Sequence, residues 1–519
     1  MIAEAHVIEN DFATSQKYFT TIVGWLQSEE SKALSHYAIE EELSIRIREL
    51  ARLMYQSHLE ARGSGTIGPS LVGGDDVERK YQRENKRQQQ CVFGRVEIKR
   101  IAYQASDVPS VMPKDANLNL PPEIYSHALS KKVAKESARS SFDEAIESVE
   151  ESTGVRVSKR QAEEITVRTS KDFDTFYQQR STFGQEQTDT LGTIVVLTED
   201  SKGIVVRNED LRPATRAAAE KDRGRAKKRM KKGEKRNRKR MATVASVYTI
   251  EPYERTPEQI VSQLGPVREV TETQRPKPES KRVWASIAKE RAQVTEELFD
   301  EAESRDPKRE KEWVALLDGD EHQRSGIEKE ASRRGINLTI ILDIIHVLEY
   351  LWKAAYAFNE AGSKEAEQWV SKRLLLILQG HCSKVVAGIR RSATRRGIKG
   401  TKRKAVDKCC DYILKNKERM RYDKYLAAGY PIATGVIEGA CRYLVKDRME
   451  RTGARWSLQG AEAVLCLRAL VASGDFEEYW KHYMFWEYDA HHSYHFPTPP
   501  QLAPDRTSQG RKPHLRVVK

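Results

Sequence analysis

The spacing of apolar positions changes several times along this chain, and each change predicts a different structure. Between residues 10 and 62, Ile39, Leu43, Ile47, Leu50 and Met54 recur at three- and four-residue steps, the stripe of amphipathic helices. Residues 63–85 open Gly-Ser-Gly and carry Gly73-Gly74-Asp75-Asp76, which reads as a linker or loop. Over 89–104, Val92, Val96, Ile98, Ile101 and Tyr103 predict a short β-hairpin turning near Gly94. Helical spacing returns over 122–180. Ser141-Phe142-Asp143-Glu144 is a capping-box start, Gly154 a stop, and Ser158-Lys159-Arg160-Gln161 a second start. Two helices about a short turn, the second opening on Lys159 and Arg160, fit a helix-turn-helix and equally an ordinary pair in a bundle.

From residue 191 short apolar runs take over. Strands are predicted at 193–200, 203–207, 241–250, 312–318 and 337–342. Ser201-Lys202 reads as a tight hairpin turn, the stretch to about 280 as a Pro-rich loop, and 286–303 as a charged helix. The resulting order, β-β-β-α-β-α-β, is that of a mixed α/β sheet of the ribonuclease-H-like kind. Helical spacing then fills 347–430, and a helix bearing Glu438 begins after Tyr430-Pro431.

The expected organisation is multidomain, an α-helical N-terminal DNA-binding region followed by an α/β ribonuclease-H-like core with an all-helical insertion. Residues 1–88 form a helical region, 89–121 a hairpin and linker, and 122–185 the helix-turn-helix-like region. The core spans 190–346 with a basic segment at 208–280, the insertion spans 347–430, and 431–488 carries Glu438 and closes the core. Residues 489–519 are expected to be a disordered tail.

Charge sharpens this picture. The formal net charge is +13, and residues 221–240 hold 13 Lys/Arg against Asp222 and Glu234, so +11 of it sits in one segment. Lys227, Lys228, Arg229, Lys231 and Lys232 at its centre are candidate phosphate contacts. No apolar run approaches the ~20 residues of a membrane span. Met1 to His6 lacks the layout of a signal peptide. Six cysteines without a CxxC pair speak against a disulfide framework or zinc knuckle and for a reducing compartment such as the cytoplasm.

Three acids carry the candidate chemistry. Asp200 follows the apolar run Ile194 to Leu197, Asp318 follows Trp313 to Leu317, and Glu438 sits in Gly435-Val436-Ile437-Glu438-Gly439-Ala440. Any strand can end in Asp, because turns favour it. Two strand-end acids followed by one on a later helix is, however, the arrangement that holds a metal pair for phosphodiester chemistry. Alternation puts Glu199 on the opposite face from Asp200. Asp320 is a rival or supporting ligand. Asp343 and His346 share one face of a helical turn, where they either serve the site or form a capped helix start with a buried histidine. Asp343 also ends a strand and is the alternative second acid. Arg442, Arg448 and Arg455 follow Glu438 and suit a neighbouring phosphate. Trp456 reads either as a stacking platform for a base or sugar or as core.

Three segments resemble the DDE transposases of ISKra-type bacterial insertion sequences and, more distantly, Mutator-like transposases. They are Leu-Asp-Gly-Asp-Glu-His-Gln (317–323), Ile-Leu-Asp-Ile-Ile-His-Val-Leu-Glu-Tyr-Leu-Trp-Lys-Ala-Ala (341–355) and the stretch from Gly435 to Ser457. The resemblance covers roughly 90–475. It implies Asp200, Asp318 and Glu438 as catalytic and metal-binding triad, with Asp318-Gly319 as the second acid's motif and Asp343 and His346 as the Asp-x-x-His motif. It further implies two Mg²⁺ per site, replaceable by Mn²⁺, and cleavage and joining of double-stranded DNA at terminal inverted repeats. A homodimer or higher oligomer acting at the bacterial nucleoid follows. A ribonuclease-H-like nuclease that cuts without joining, and a catalytically dead DNA-binding derivative, are the alternatives.

Overall fold

The computed structural model of the chain describes residues 12–183, 192–223, 238–264, 275–451 and 453–502. It divides into two compact units, one of residues 1–172 with 476–519 and one of residues 173–475.

In the first unit, the predicted helices fall at Ala13–Gln27 and His36–Ala61, the latter capped by the Ser35 side chain. Residues 63–85 are not all loop. They hold two short strands, Leu71–Val72 and Glu78–Arg79, and the start of the hairpin. That hairpin pairs Tyr81–Cys91 with Gly94–Gln104, from Cys91↔Gly94 out to Tyr81↔Gln104. Its first strand begins well before the alternation predicted, because its early residues are polar and exposed. Backbone pairing, which leaves no hydrophobic signature, holds that part together.

The helices Phe142–Thr153 and Lys159–Arg168 flank the predicted turn. The Ser141 box closes in both directions, with Ser141 N to Glu144 Oε2 at 3.0 Å and Glu144 N to Ser141 Oγ at 3.3 Å. The second box does not close, since the Gln161 side-chain oxygen accepts from the Ser158 and Tyr125 hydroxyls instead. Chain order reaches 502 in the described residues, with a helical turn at Asp489–Ser493, so the expected tail does not begin at 489. The cause is Phe496, which buries against Leu71, Tyr103 and Val111. Residues 503–519 lie outside the described residues.

The second unit is built on one five-stranded sheet. Its strands are β1 (Ile194–Val205), β2 (Lys239–Ile250), β3 (Glu279–Ser286), β4 (Glu312–Leu317) and β5 (Leu338–Leu342), in the order β3-β2-β1-β4-β5. β1 pairs antiparallel with β2 and parallel with β4, and β4 pairs parallel with β5. The strands and the helices that follow them keep the predicted β-β-β-α-β-α-β sequence. Helices Pro213–Arg223 and Pro257–Leu264, however, stand between the first three strands, where that order has no helix, the second of them in the expected Pro-rich loop. Two further assignments change. Ser201-Lys202 is no turn: β1 runs straight through it, paired without a break from Ile194↔Ile250 to Val205↔Lys239. The third strand is 279–286, in the gap between the stretch that reads as Pro-rich loop and the predicted charged helix. Its Val283, Trp284 and Ala285 are consecutive and all buried, a pattern in which period two is invisible.

Both faces of the sheet are covered. On one lies α1 (Arg291–Arg305), whose Phe299 stacks on Trp313 of β4 with ring centroids 6.3 Å apart. The loop after β4 leads into α2 (Glu321–Arg334). On the other face, Ile194, Val196, Val314, Leu316 and Ile341 form one core with α3 (Ile344–Phe358), α4 (Lys364–Leu378), α5 (Cys382–Arg395) and α6 (Gly400–Asn416). The segment predicted helical over 347–430 is helical in the structure. It seats on the sheet face that carries the even-numbered β1 side chains. Among the described residues no helix is long and apolar enough to cross a membrane.

Candidate metal centre

Parallel pairing sets the geometry of the site. β1, β4 and β5 run the same way, and the C-terminal ends of β4 and β5 lie beside the middle of β1. Asp200, expected at a strand end, therefore sits inside β1, just past the last parallel pair. The register pairs Thr198 with Leu316 and Leu317 with Leu342, so Asp200, Asp318 and Asp343 all stand where the parallel pairing ends. Ile194 to Glu199 of β1 are all buried, and alternation sends successive side chains to opposite faces. Glu199 turns to α1, where its Oε2 accepts from the Thr295 hydroxyl at 2.9 Å and Arg291 stands 3.4 Å from its other oxygen. Burial pushes the Glu199 carboxyl up to about 7. Asp200 therefore faces the opposite, helix-insertion side.

Asp343 closes β5 and opens α3. Its Oδ1 caps the helix by accepting from Ile345 N at 2.8 Å, and its Oδ2 accepts from the Thr434 hydroxyl. One turn on, His346 leans over the same place. From the far end of the insertion, Thr434 starts the short helix α7 (Gly435–Ala440), which carries Glu438. One ligand atom each of Asp343, His346 and Glu438 lies within 4.8 Å of the others, and these are the residues of the described chain that could hold a metal ion. Asp343 is buried, His346 half-buried and Glu438 exposed, so the group opens to one side.

Like charges crowd there. Burial pushes the Asp343 carboxyl up, against the hydrogen bond from Thr434 and the pull of His346. The Glu438 carboxyl is pushed up by burial and then by Asp343, with Asp200 and Glu349 adding to it. Two carboxyls that resist ionisation beside an imidazole gain from a bound cation, which supplies the missing opposite charge. The donor set of two carboxylates and one imidazole fits Mn²⁺ as well as Mg²⁺, since nitrogen donors suit the transition ions.

Asp200 adjoins this group and is held from two sides. Ser201 N donates to its Oδ1 at 2.6 Å and the Cys441 thiol donates to its Oδ2 at 3.1 Å. Cys441 begins a stretch of wider, π-helical turns, Cys441–Lys446, directly after α7. Such turns recur at functional sites. Cys441 thus acts as a positioning residue for Asp200. For a metal-dependent reaction at this site, Cys441→Ala is expected to slow the step by about 5- to 10-fold, the worth of roughly 1 kcal/mol from one hydrogen bond. Cys441→Ser, which keeps a donor, should retain most of the rate; equal rates for all three proteins in a single-turnover assay would refute the role.

The remaining sequence-derived residues are distributed differently from expectation. Asp318 is not drawn into the group of three. Its Oδ1 accepts from Asp320 N at 2.8 Å, and its carbonyl accepts from the Tyr412 hydroxyl at 2.8 Å. Gly319 follows at φ +92°, and a Cβ there would meet the Tyr412 oxygen at 2.8 Å, so the Asp-Gly pair answers a backbone requirement. Asp320 caps α2 through Gln323 N at 2.9 Å and reaches Arg291 at 3.3 Å, which turns it away from the metal ligands. Trp456 is core: its ring is buried, its indole N–H donates to Met449 O at 3.1 Å, and its backbone bridges to Val206. Arg448 is buried too, stacked on that ring at 4.8 Å. Neither offers a face to a nucleic acid, because burying them closes the end of β1 against the segment after α7. Arg442 is 79% exposed but stands 3.8 Å from the Asp447 carboxylate, while Arg455 is exposed, so both are open to solvent and Arg442 shares its charge with an acid. In the first unit, Lys159 pairs with Asp143 at 2.7 Å and Arg160 with Glu164 at 2.9 Å, which lowers the cationic character expected of that helix start. Lys227, Lys228, Arg229, Lys231 and Lys232 lie outside the described residues.

Sequence reading missed Thr434, Cys441 and Tyr412. Cys441 had a signal, its three-residue spacing from Glu438 on one helix face. Thr434 and Tyr412 act from 91 and 94 residues beyond the acids they touch, which no local pattern can show.

No protein-family model and no curated protein matches the chain. Among solved structures, the chain is similar to the Drosophila P element transposase strand transfer complex at 9% identity, over 73% of this chain and 82% of that one, with a TM-score of 0.22. A superposition that slight transfers no residue and no activity.

Proposed function

We propose that this chain is a DNA transposase, with a ribonuclease-H-like core that cuts and joins phosphodiester bonds. The observation that carries the reading is the convergence of Asp343, His346 and Glu438, with Asp200 adjoining, where β4 and β5 end beside β1. Asp343, His346 and Glu438 would hold one divalent cation, Mg²⁺ or Mn²⁺, and Asp200 with Asp318 would complete the place for a second. Bound cations supply charge neutralisation and activation of the attacking oxygen.

The chain's own contribution is alignment. Asp343 is locked by Ile345 N and Thr434, and Asp200 by Ser201 N and Cys441, so two carboxylates are set before substrate arrives. Glu438, the exposed member, lies on the side from which a DNA backbone must approach. Arg442 and Arg455 stand beyond it for the flanking phosphates. Cleavage and joining are both in-line displacements at phosphorus, so one constellation serves both. Joining two ends calls for a dimer or higher oligomer.

The test incubates purified protein with DNA carrying the element's own ends, in Mg²⁺ or Mn²⁺. Nicks at the inverted repeats together with joined products are expected. Nicks without joined products would reduce the protein to a nuclease, and binding without cleavage in either metal would overturn the enzymatic reading.

A further inference from the structure

The helical insertion carries a surface that the site does not use. Residues 382–411 hold ten Lys/Arg against Asp407 and Asp411, a net of +8. Both acids are already taken, Asp407 by Arg403 at 3.0 Å and Asp411 by Arg390 at 2.6 Å. α5 itself contains no acid at all. Its buried residues, Cys382, Val385, Val386, Ile389 and Ala393, occupy one face. On the opposite face stand Lys384, Arg391 and Arg395, at steps of seven and four, all exposed. No carboxylate pairs with any of the three among the described residues. At a rise of 1.5 Å per residue the row is about 16 Å long. Lys399 and Lys402, exposed in the following loop and at the start of α6, extend it.

The middle of the row is flat. Gly388 falls between Lys384 and Arg391 on the same face, and a Cβ there would meet nothing within 4 Å. Helix propensity disfavours glycine at such a position, and packing does not call for it. A bare backbone between cations lets a polyanion lie close along the helix.

We propose that the exposed face of α5, Lys384, Arg391 and Arg395 with Lys399 and Lys402, is a track for the phosphate backbone of double-stranded DNA. The duplex as partner rests on the transposase reading; the track itself rests on the charge row. α5 shares its hydrophobic core with α3, which Asp343 caps and whose first turn carries His346, so the track and the candidate metal centre stand on one packed core.

The experiment measures binding of the full chain to a fluorescent 30-base-pair duplex across a KCl series, with Ca²⁺ in place of Mg²⁺. The variant replaces Lys384, Arg391 and Arg395 by Ser. Each lost phosphate contact removes about 0.9 from the slope of log affinity against log salt, so the slope should fall by roughly 2 to 3 and the affinity by roughly tenfold or more. A control, Lys364→Ser with Lys372→Ser on α4, should leave the slope unchanged. The melting temperature reports folding, and these exposed changes should not move it. An unchanged slope in the α5 variant, an equal fall in the control, or stronger competition by duplex RNA or polyglutamate than by DNA would each overturn the track. The two proposals fail separately: a wild type that cleaves while the α5 variant binds normally removes the track alone, and a wild type that never cleaves while the slope falls removes the transposase alone.

Discussion

Asp343→Asn should lower the proposed metal-dependent cleavage by about 10²- to 10³-fold or more, the scale seen when one preorganised charge partner is removed from an active site. The substitution isolates charge from architecture. Asparagine is as good a helix cap as aspartate, so the bond to Ile345 N can persist and α3 should still start at the same place. What is lost is the anionic oxygen that faces His346 and Glu438. Mn²⁺ titration followed by electron paramagnetic resonance provides the second readout. Affinity should drop sharply in Asp343→Asn and in Glu438→Gln. In Asp318→Asn the first ion should bind near the wild-type level, because the Asp318 carboxylate is engaged by Asp320 N rather than by the group of three. Wild-type Mn²⁺ affinity in Asp343→Asn would sink the assignment, and a collapse in Asp318→Asn would return the second acid to the position that the Asp-Gly motif favours.

The second large effect concerns stability and lies on the far face of the sheet. Arg282 of β3 is buried between the rings of Tyr177 and Trp284, 3.4 Å and 4.4 Å from their centroids. Glu301 of α1 meets it at 2.5 Å and also meets Arg305 at 2.6 Å. Burial works against ionising Glu301, but the two guanidiniums overcome it and hold its carboxyl down at about 2. Glu301→Gln leaves a buried guanidinium without its counter-charge, and a loss of about 3–5 kcal/mol is expected at neutral pH. The sign of the pH dependence follows. A carboxyl with a depressed folded-state pKa contributes its stability above its ordinary value of 4.5 and loses it as pH falls toward 2. That window is worth roughly 3 kcal/mol at 1.36 kcal/mol per pH unit. Urea melts of both proteins between pH 6 and pH 2.5 should converge as the acid is reached. Curves that stay parallel would show that Glu301 is not ionised in the folded wild type.

Legibility varied with the physics of each element. Helices were plain where a period near 3.6 survives in the sequence, as in the insertion, whose stripes are buried; His36–Ala61 shows the same period, yet Ile47 and Met54 of its stripe are exposed. Strands that end in an acid were plain too, since β4 and β5 are short apolar runs with abrupt stops. β3 was hidden because it is buried on both faces, and the outer part of the N-terminal hairpin because it is buried on neither. Ser201-Lys202 misled because polar residues inside a long strand imitate a turn when its partner lies 34 or more residues away in the chain.

The sequence by itself determined most strands of the second unit, the acids that follow β4 and β5, the Asp343-to-His346 spacing and the helix that bears Glu438. These are local facts, written in periodicity, caps and stops. Tertiary structure alone decided which acids meet. Parallel pairing of β1, β4 and β5 gathers three aspartates where that pairing ends, yet hydrogen bonds from Asp320 N, Thr434, Ser201 N and Cys441 orient each carboxylate differently. The same packing took Trp456 and Arg448 into the core and left Lys384, Arg391 and Arg395 in a row outside it. Orientation and burial depend on partners tens to hundreds of residues away, and a one-dimensional pattern carries no record of them.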